Sequence, residues 1–247
     1  MNVKYVYLTD TASTNSYAQS YLSKCNPNEI TVIYTYYQHQ GRGQIGRYWF
    51  SDRDKNFSLS IIYFPKQLGA ANSFQIIRDS SLAINMAIKE VFGIKCQIKW
   101  PNDIYYNHKK LGGILIQNTI SGKNIKNAII GIGLNVNSVD FPEDLPNPIS
   151  LKQITRTHYD LKSSMLFFVN KVCELLFNNQ FDHELYHNNL YKIGQKQRFE
   201  LEPGNSFLAT ILGTDNNGLI LLEKEDGSIE KYNFHEIRFI IDNTEPV

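Results

Sequence analysis

Nine consecutive residues, GRGQIGRYW at 41–49, hold three glycines, two arginines and a tryptophan. Glycine lets backbone N–H groups approach an anion closely, and an arginine fork holds its oxygens two at a time. Phosphate is the first ligand such a loop suits, with Trp49 as a platform for a flat ring. A second run, KWPNDIYYNHKKLGGILIQ at 99–117, adds Lys99, Asp103, Lys110 and the pair Gly112 and Gly113. Two shorter runs, STN at 13–15 and GIGLNVN at 131–137, offer hydroxyls, amides and bare backbone. Fixed cations cancel the repulsion between two negatively charged reactants. A lone carboxylate such as Asp103 can hold a metal ion or move a proton.

These residues need a scaffold, and the hydrophobic pattern supplies one. VKYVYL, EITVIYTYYQ, FSLSIIYF and NAIIGIGLNVN read as strands. Residues 96–119 read as strand, hairpin and strand, with Pro101 halting the first because it cannot donate to the ladder. Apolar positions at helical spacing, Phe74, Ile77, Leu82, Met86 and Val91, place the longest helix within 69–92. Further helices are expected after Asp10, over LKSSMLFFVNKVCELLFN and through FDHELYHNNLYK. Pro142, Pro146 and Pro148 mark a connection. From Ile193 the texture changes to short alternating runs broken by Gly, Asn and Asp, the mark of a small antiparallel barrel. The expected division is 1–190 and 191–247.

Composition excludes some partners. Lysine plus arginine is 25 against 24 acids, so any basic site must be local and no general nucleic-acid or membrane binder is expected. Three cysteines without metal-ligand spacing suit reduced thiols, and the N-terminus has no signal-peptide h-region; a cytoplasmic location is expected. HELYH at 183–187 matches the H-E-x-x-H pattern of zinc peptidases. No third histidine follows at a fitting spacing, so His183, Glu184 and His187 are expected on a solvated helix face. Each other motif also has a plain reading taken alone: STN as a helix cap, the glycine loop as a turn, Trp100 as packing.

Together, in this order and spacing, STN, QHQGRGQIGRYW, KWPNDIYYNHKKLGGILIQ and GIGLNVN resemble the biotin protein ligases. The resemblance implies an α+β fold of the class II synthetase-like type, with a mixed, largely antiparallel sheet, packed helices and a small SH3-like C-terminal barrel. It implies ATP-dependent joining of biotin to a lysine of a biotin carboxyl carrier domain, through biotinyl-5′-AMP. Arg42, Lys110 and Asp103 would be catalytic, with Asp103 either holding Mg²⁺ on the phosphates or accepting the incoming amine's proton. Ser13, Thr14, Asn15, Gln38, Gly41, Arg42, Gly43, Gln44, Lys110, Gly112 and Gly113 would surround biotin. Arg42, Arg47, Trp49, Lys99, Asn102 and Asn135 would hold the nucleotide. Lipoate ligases, related in fold, are the competing class. The ligase motifs begin at residue 13, so the N-terminal DNA-binding domain of some members is not expected, and a monomer or homodimer is. Many members carry a second arginine where this chain has Gln44. The segment 41–56, rich in glycine and charge, is expected to have little apolar anchorage and to order on ligand binding.

Overall fold

β-Branched and aromatic residues pack well on a pleated surface, and runs of them build the main sheet. The computed structural model describes residues 2–44 and 46–241. Ile45 of the glycine–arginine loop and residues 242–247 of the expected C-terminal domain lie outside the described residues. The main sheet comprises β1 (Val3–Tyr7), β2 (Ile30–Thr35), β3 (Phe57–Tyr63), β4 (Gln97–Lys99), β5 (Asp103–Tyr106), β6 (Lys109–Ser121) and β7 (Asn124–Leu134). Its spatial order is β1-β2-β3-β7-β6-β5-β4. β1 runs parallel to β2 and the other neighbouring pairs are antiparallel, so the sheet is mixed and largely antiparallel, as the family resemblance implies.

The helices are α1 (Thr14–Tyr21), α2 (Ser73–Phe92), α3 (Leu151–Thr155), α4 (Leu161–Asn178) and α5 (His183–Asn188). α2 and α4 cover one sheet face, with Phe168 of α4 fully buried 5.7 Å, ring to ring, from Phe57. Ile130, Ile132 and Leu134 of β7 point into that core, whereas Ile129 joins Ala18, Ile33 and Ile62 beneath α1. Side chains alternate along a strand, so Gly131 and Gly133 fall on the α1 face. The run IIGIGL is thus a strand that is apolar toward the core and bare on its other side. α3 is not read from the sequence. It starts at a capping box in which Ser150 Oγ accepts from Gln153 N at 3.2 Å and Gln153 Oε1 accepts from Ser150 N at 3.0 Å.

The C-terminal sheet has five antiparallel strands in the order β11-β10-β9-β8-β12 and forms a small barrel-like layer. They are β8 (Lys196–Glu202), β9 (Asn205–Thr214), β10 (Ile220–Lys224), β11 (Ile229–Tyr232) and β12 (Arg238–Ile240). One hydrophobic core runs through both sheets, with Phe199, Ile211 and Leu222 in the same cluster as Leu82 and Phe168. Polar contacts fix the junction. The Trp100 indole N–H donates to Gly218 O at 2.9 Å, and Tyr186 OH donates to Pro101 O at 3.0 Å. Trp100 therefore packs, as expected.

The histidines of HELYH do not lie on a solvated face. Only Glu184 of the three is exposed. His187 Nε2 accepts from Thr214 N at 3.0 Å, and the His183 ring lies 6.2 Å from that of Phe74. The C-terminal sheet packs onto α5, a contact that the residues of α5 cannot announce. Burial holds His187 below the ordinary imidazole pKa, and the neighbouring His183 adds to the effect. A base kept neutral by folding titrates more readily once unfolded. Its stabilisation is therefore complete above about pH 6.5 and is lost as pH falls through that value. The melting temperature should fall between about pH 7 and 5.5, and less steeply in His187→Gln, which keeps an acceptor for Thr214 N–H. Thermal scans across that range check this; parallel slopes would remove His187 from the cause.

Candidate active site

Directly opposed residues in antiparallel strands share a face. One such row crosses the main sheet as Thr35, Ser58, Gly133, Gly113, Asp103 and Lys99. The next runs Ile33, Ser60, Gly131, Leu115. Both lie on the α1 side. Hydroxyls and glycines make a low floor at the centre of the face, and charge is concentrated toward β4.

Lys110 reaches this face through a β-bulge. Ile104 pairs with Gly112 and Tyr105 with Lys110, which leaves Leu111 as the extra residue. In a regular strand Lys110 would share the core-facing side with Gly112; the inserted residue reverses that parity. Leu111 enters the core, fully buried, and Lys110 Nζ comes 2.7 Å from Asp103 Oδ1. Lys99 ends β4, partly exposed, its ammonium 4.6 Å from the Phe239 ring centre and 5.4 Å from that of Tyr105. Removal from water pushes its pKa down to about 8. Asp103 opposes that shift, and the positive charges of Lys110 and Arg47 reinforce it.

The floor receives two side chains that no larger residue would admit. A Cβ at Gly133 would lie 2.3 Å from Trp49 Cε2, and one at Gly131 would lie 2.3 Å from Asn15 Oδ1. Asn15 is thereby seated, its Nδ2 donating to Leu115 O at 3.1 Å and its Oδ1 accepting from Ser60 Oγ at 2.6 Å. Ser13 occupies the N-cap of α1 but makes no side-chain capping bond. Thr14 pairs instead with Gln38, whose Oε1 accepts from Thr14 N at 2.7 Å and from Thr14 Oγ1 at 3.1 Å. The STN run is therefore buried and turned toward the floor more than a simple cap requires.

The described residues of the loop, 41–44 and 46–49, form a tight hairpin. Gly43 N donates to Arg47 O at 2.9 Å, Arg47 N to Gln44 O at 3.0 Å, and Trp49 N to Gly41 O at 2.9 Å. Gly41 has no room for a side chain, since a Cβ would meet Trp49 O at 2.4 Å. Arg42 and Arg47 are exposed. The expectation of little apolar anchorage is corrected here. Trp49 lies on Gly133 and Gly113, Phe50 meets Phe141 edge-on at 6.1 Å, and Tyr48 OH donates to Asp144 Oδ2 at 2.6 Å.

The two asparagines assigned to the nucleotide brace the backbone. Asn102 Nδ2 donates to Ile114 O, and Asn135 Nδ2 donates to Ile149 O at 3.1 Å. Ser58 went unread in the sequence, although serine at alternate positions of FSLSIIY is its signal. Its buried hydroxyl and the Trp49 indole N–H have no hydrogen-bond partner among the described residues. Both border Gly133.

One face of the main sheet thus gathers glycines on which Asn15 and Trp49 rest, a cluster of Lys99, Lys110 and Asp103, and the glycine–arginine hairpin. The profile of the biotin/lipoate A/B protein ligase family matches residues 7–135, and the chain belongs to that family. It is 30% identical over 231 residues to the bifunctional ligase/repressor BirA of Bacillus spizizenii, covering 90% of this chain and 70% of that one. It is 27% identical over 220 residues to the human biotin–protein ligase, covering 82% of this chain and 30% of that one. A structure of the Aquifex aeolicus biotin protein ligase in complex with biotin and ATP superimposes with a TM-score of 0.77 at 25% identity, over 97% of this chain and 99% of that one.

The glycines separate stability from binding. Gly131→Ala crowds buried Asn15 and should destabilise the fold by roughly 1–3 kcal/mol, read by denaturant unfolding. Gly133→Ala should instead displace the Trp49 indole. Tryptophan fluorescence, from only two residues, should shift to the red with a smaller loss of stability.

Proposed function

We propose that this chain, a biotin ligase by kinship, activates biotin with ATP and transfers it to a lysine of a biotin carboxyl carrier domain. The carboxylate of biotin attacks the α-phosphate, giving biotinyl-5′-AMP and pyrophosphate. The lysine amine then attacks the anhydride carbonyl, forming an amide and releasing AMP and a proton. The observation that carries this reading is the glycine floor flanked by Lys110–Asp103 and Lys99, with the Arg42–Arg47 hairpin above it. The relatives named as biotin ligases, and the biotin and ATP of the Aquifex structure, favour biotin over lipoate.

In this reading Arg42 and Lys110 cancel the repulsion between carboxylate and triphosphate. Thr14 and Gln38 recognise the ureido group with Ser13. Trp49 covers the intermediate and keeps water from it. Asp103 is the site's carboxylate and already pairs with Lys110. That arrangement suits an Mg²⁺ that is held largely by substrate phosphates, with Asp103 as its protein ligand, and whose charge would stabilise the departing pyrophosphate. With its Lys110 contact loosened, the same carboxylate would instead take the proton of the incoming amine.

Incubation with ATP, Mg²⁺ and biotin should yield biotinyl-5′-AMP by mass spectrometry, and lipoate in its place should not yield the corresponding adenylate. Arg42→Ala and Lys110→Ala should each cost at least about 3 kcal/mol in the adenylation barrier, the scale of one lost electrostatic group. Near-normal synthesis by either variant would refute its role.

Gln44 sits in the hairpin tip with its backbone oxygen accepting from Arg47 N. An amide there adds no charge against the phosphate. Gln44→Arg should release pre-formed biotinyl-5′-AMP more slowly than the wild-type chain in a stopped-flow chase. Equal release rates would put position 44 beyond the electrostatic reach of the anhydride.

A further inference from the structure

The C-terminal sheet sends one ring toward the charged end of the site. β12 is held on β8 by the cross-strand pair Phe239 and Phe199, whose rings meet edge-on at 4.8 Å. An ion pair between Arg238 and Glu200 secures the same strands. Phe199 is fully buried, so Phe239 projects from a rigid base. Its ring face lies 4.6 Å from Lys99 Nζ, within the range of a cation–π contact.

The backbone around Lys99 is fixed independently. Ile98 N donates to Asn189 O and Tyr191 N to Ile98 O, both at 2.8 Å, and Trp100 is anchored on Gly218. The ammonium at the end of four methylenes is a separate matter, since a free lysine side chain samples many rotamers. Lys110 has Asp103 at 2.7 Å. Lys99 forms no ion pair among the described residues, and aromatic faces are what hold it. Tyr105 comes from the main sheet, whereas Phe239 comes from the other one.

We propose that Phe239 is a positioning residue of the nucleotide site: its ring holds the Lys99 ammonium over the floor beside Asp103, so that the C-terminal sheet completes a site begun on the main sheet. This rests on the ligase reading in one respect, that Lys99 meets the triphosphate of ATP. A pre-positioned cation binds phosphate without first losing rotamer freedom. Removing the ring therefore weakens ATP binding and leaves biotin binding alone.

The test is a double-mutant cycle in the full chain with Phe239→Leu, Lys99→Met and both together. ATP affinity is measured by calorimetry, and turnover by biotin-dependent pyrophosphate exchange. Phe239→Leu should raise the ATP Kd and KM about tenfold, with kcat and the biotin Kd within roughly twofold, the scale of a partly desolvated cation–π contact. Phe239→Tyr, which keeps a ring face, should restore the wild-type values. In the Lys99→Met background Phe239→Leu should add almost nothing. An unchanged ATP Kd in folded Phe239→Leu overturns the proposal, as does an equal loss with and without Lys99, which would make Phe239 ordinary packing. ATP binding that follows the cycle without any biotin-dependent exchange in the wild type would overturn the ligase reading and leave the Phe239 proposal standing. A wild-type chain that binds no ATP overturns both.

Discussion

Absent side chains on one face of the central strands govern this molecule. β7 and β6 bury isoleucine and leucine toward α2 and α4, which gives them the stability of interior strands. At positions 113, 131 and 133 the opposite face is glycine. A methyl group at 131 or 133 would overlap a neighbouring side chain, because Asn15 and Trp49 rest directly on the backbone there. Glycine within a strand carries an entropic cost of roughly 0.5–1 kcal/mol relative to alanine. Here that cost is offset by the core beneath. The floor of the site exists because the core on its other side can support it.

Charge is arranged around that floor by backbone geometry. The bulge at Leu111 brings Lys110 to the site and Leu111 to the core in one stroke. Lys110 then meets Asp103 from the adjacent strand, while Lys99 stands opposite Asp103 on the next. Removal from water is the main cause of the lowered Lys99 pKa; the positive charges of Lys110 and Arg47 add to it, and Asp103 opposes it.

The C-terminal sheet is tied to the site rather than appended to it. Trp100, Pro101 and Ile98 all contact residues in or leading to that sheet, and Lys99 lies between them. A motif of the main sheet thus has two jobs: its odd-numbered lysine faces the site, and its neighbours bind the second layer.

Much was legible in the sequence because local patterns carry it. Strand and helix periodicities located β2, β3, β7, α2 and α4, and the four motifs named the residues that gather at the floor. The antiparallel texture after Ile193 was also visible. Tertiary structure decided the rest. That Asn102 and Asn135 spend their amide donors on backbone carbonyls depends on segments brought beside them by folding. The facing of Lys110 turns on a bulge, which inverts the parity that alternation alone predicts. HELYH carries a residue pattern but no record of the sheet that packs against it, so His187 reads as solvated until Thr214 arrives. The anchorage of the glycine–arginine loop came from Trp49 finding Gly133 across the chain. Sequence determines which side chains are available and which face each strand offers; contacts between residues far apart in the chain are set only when the packed core fixes where those faces meet.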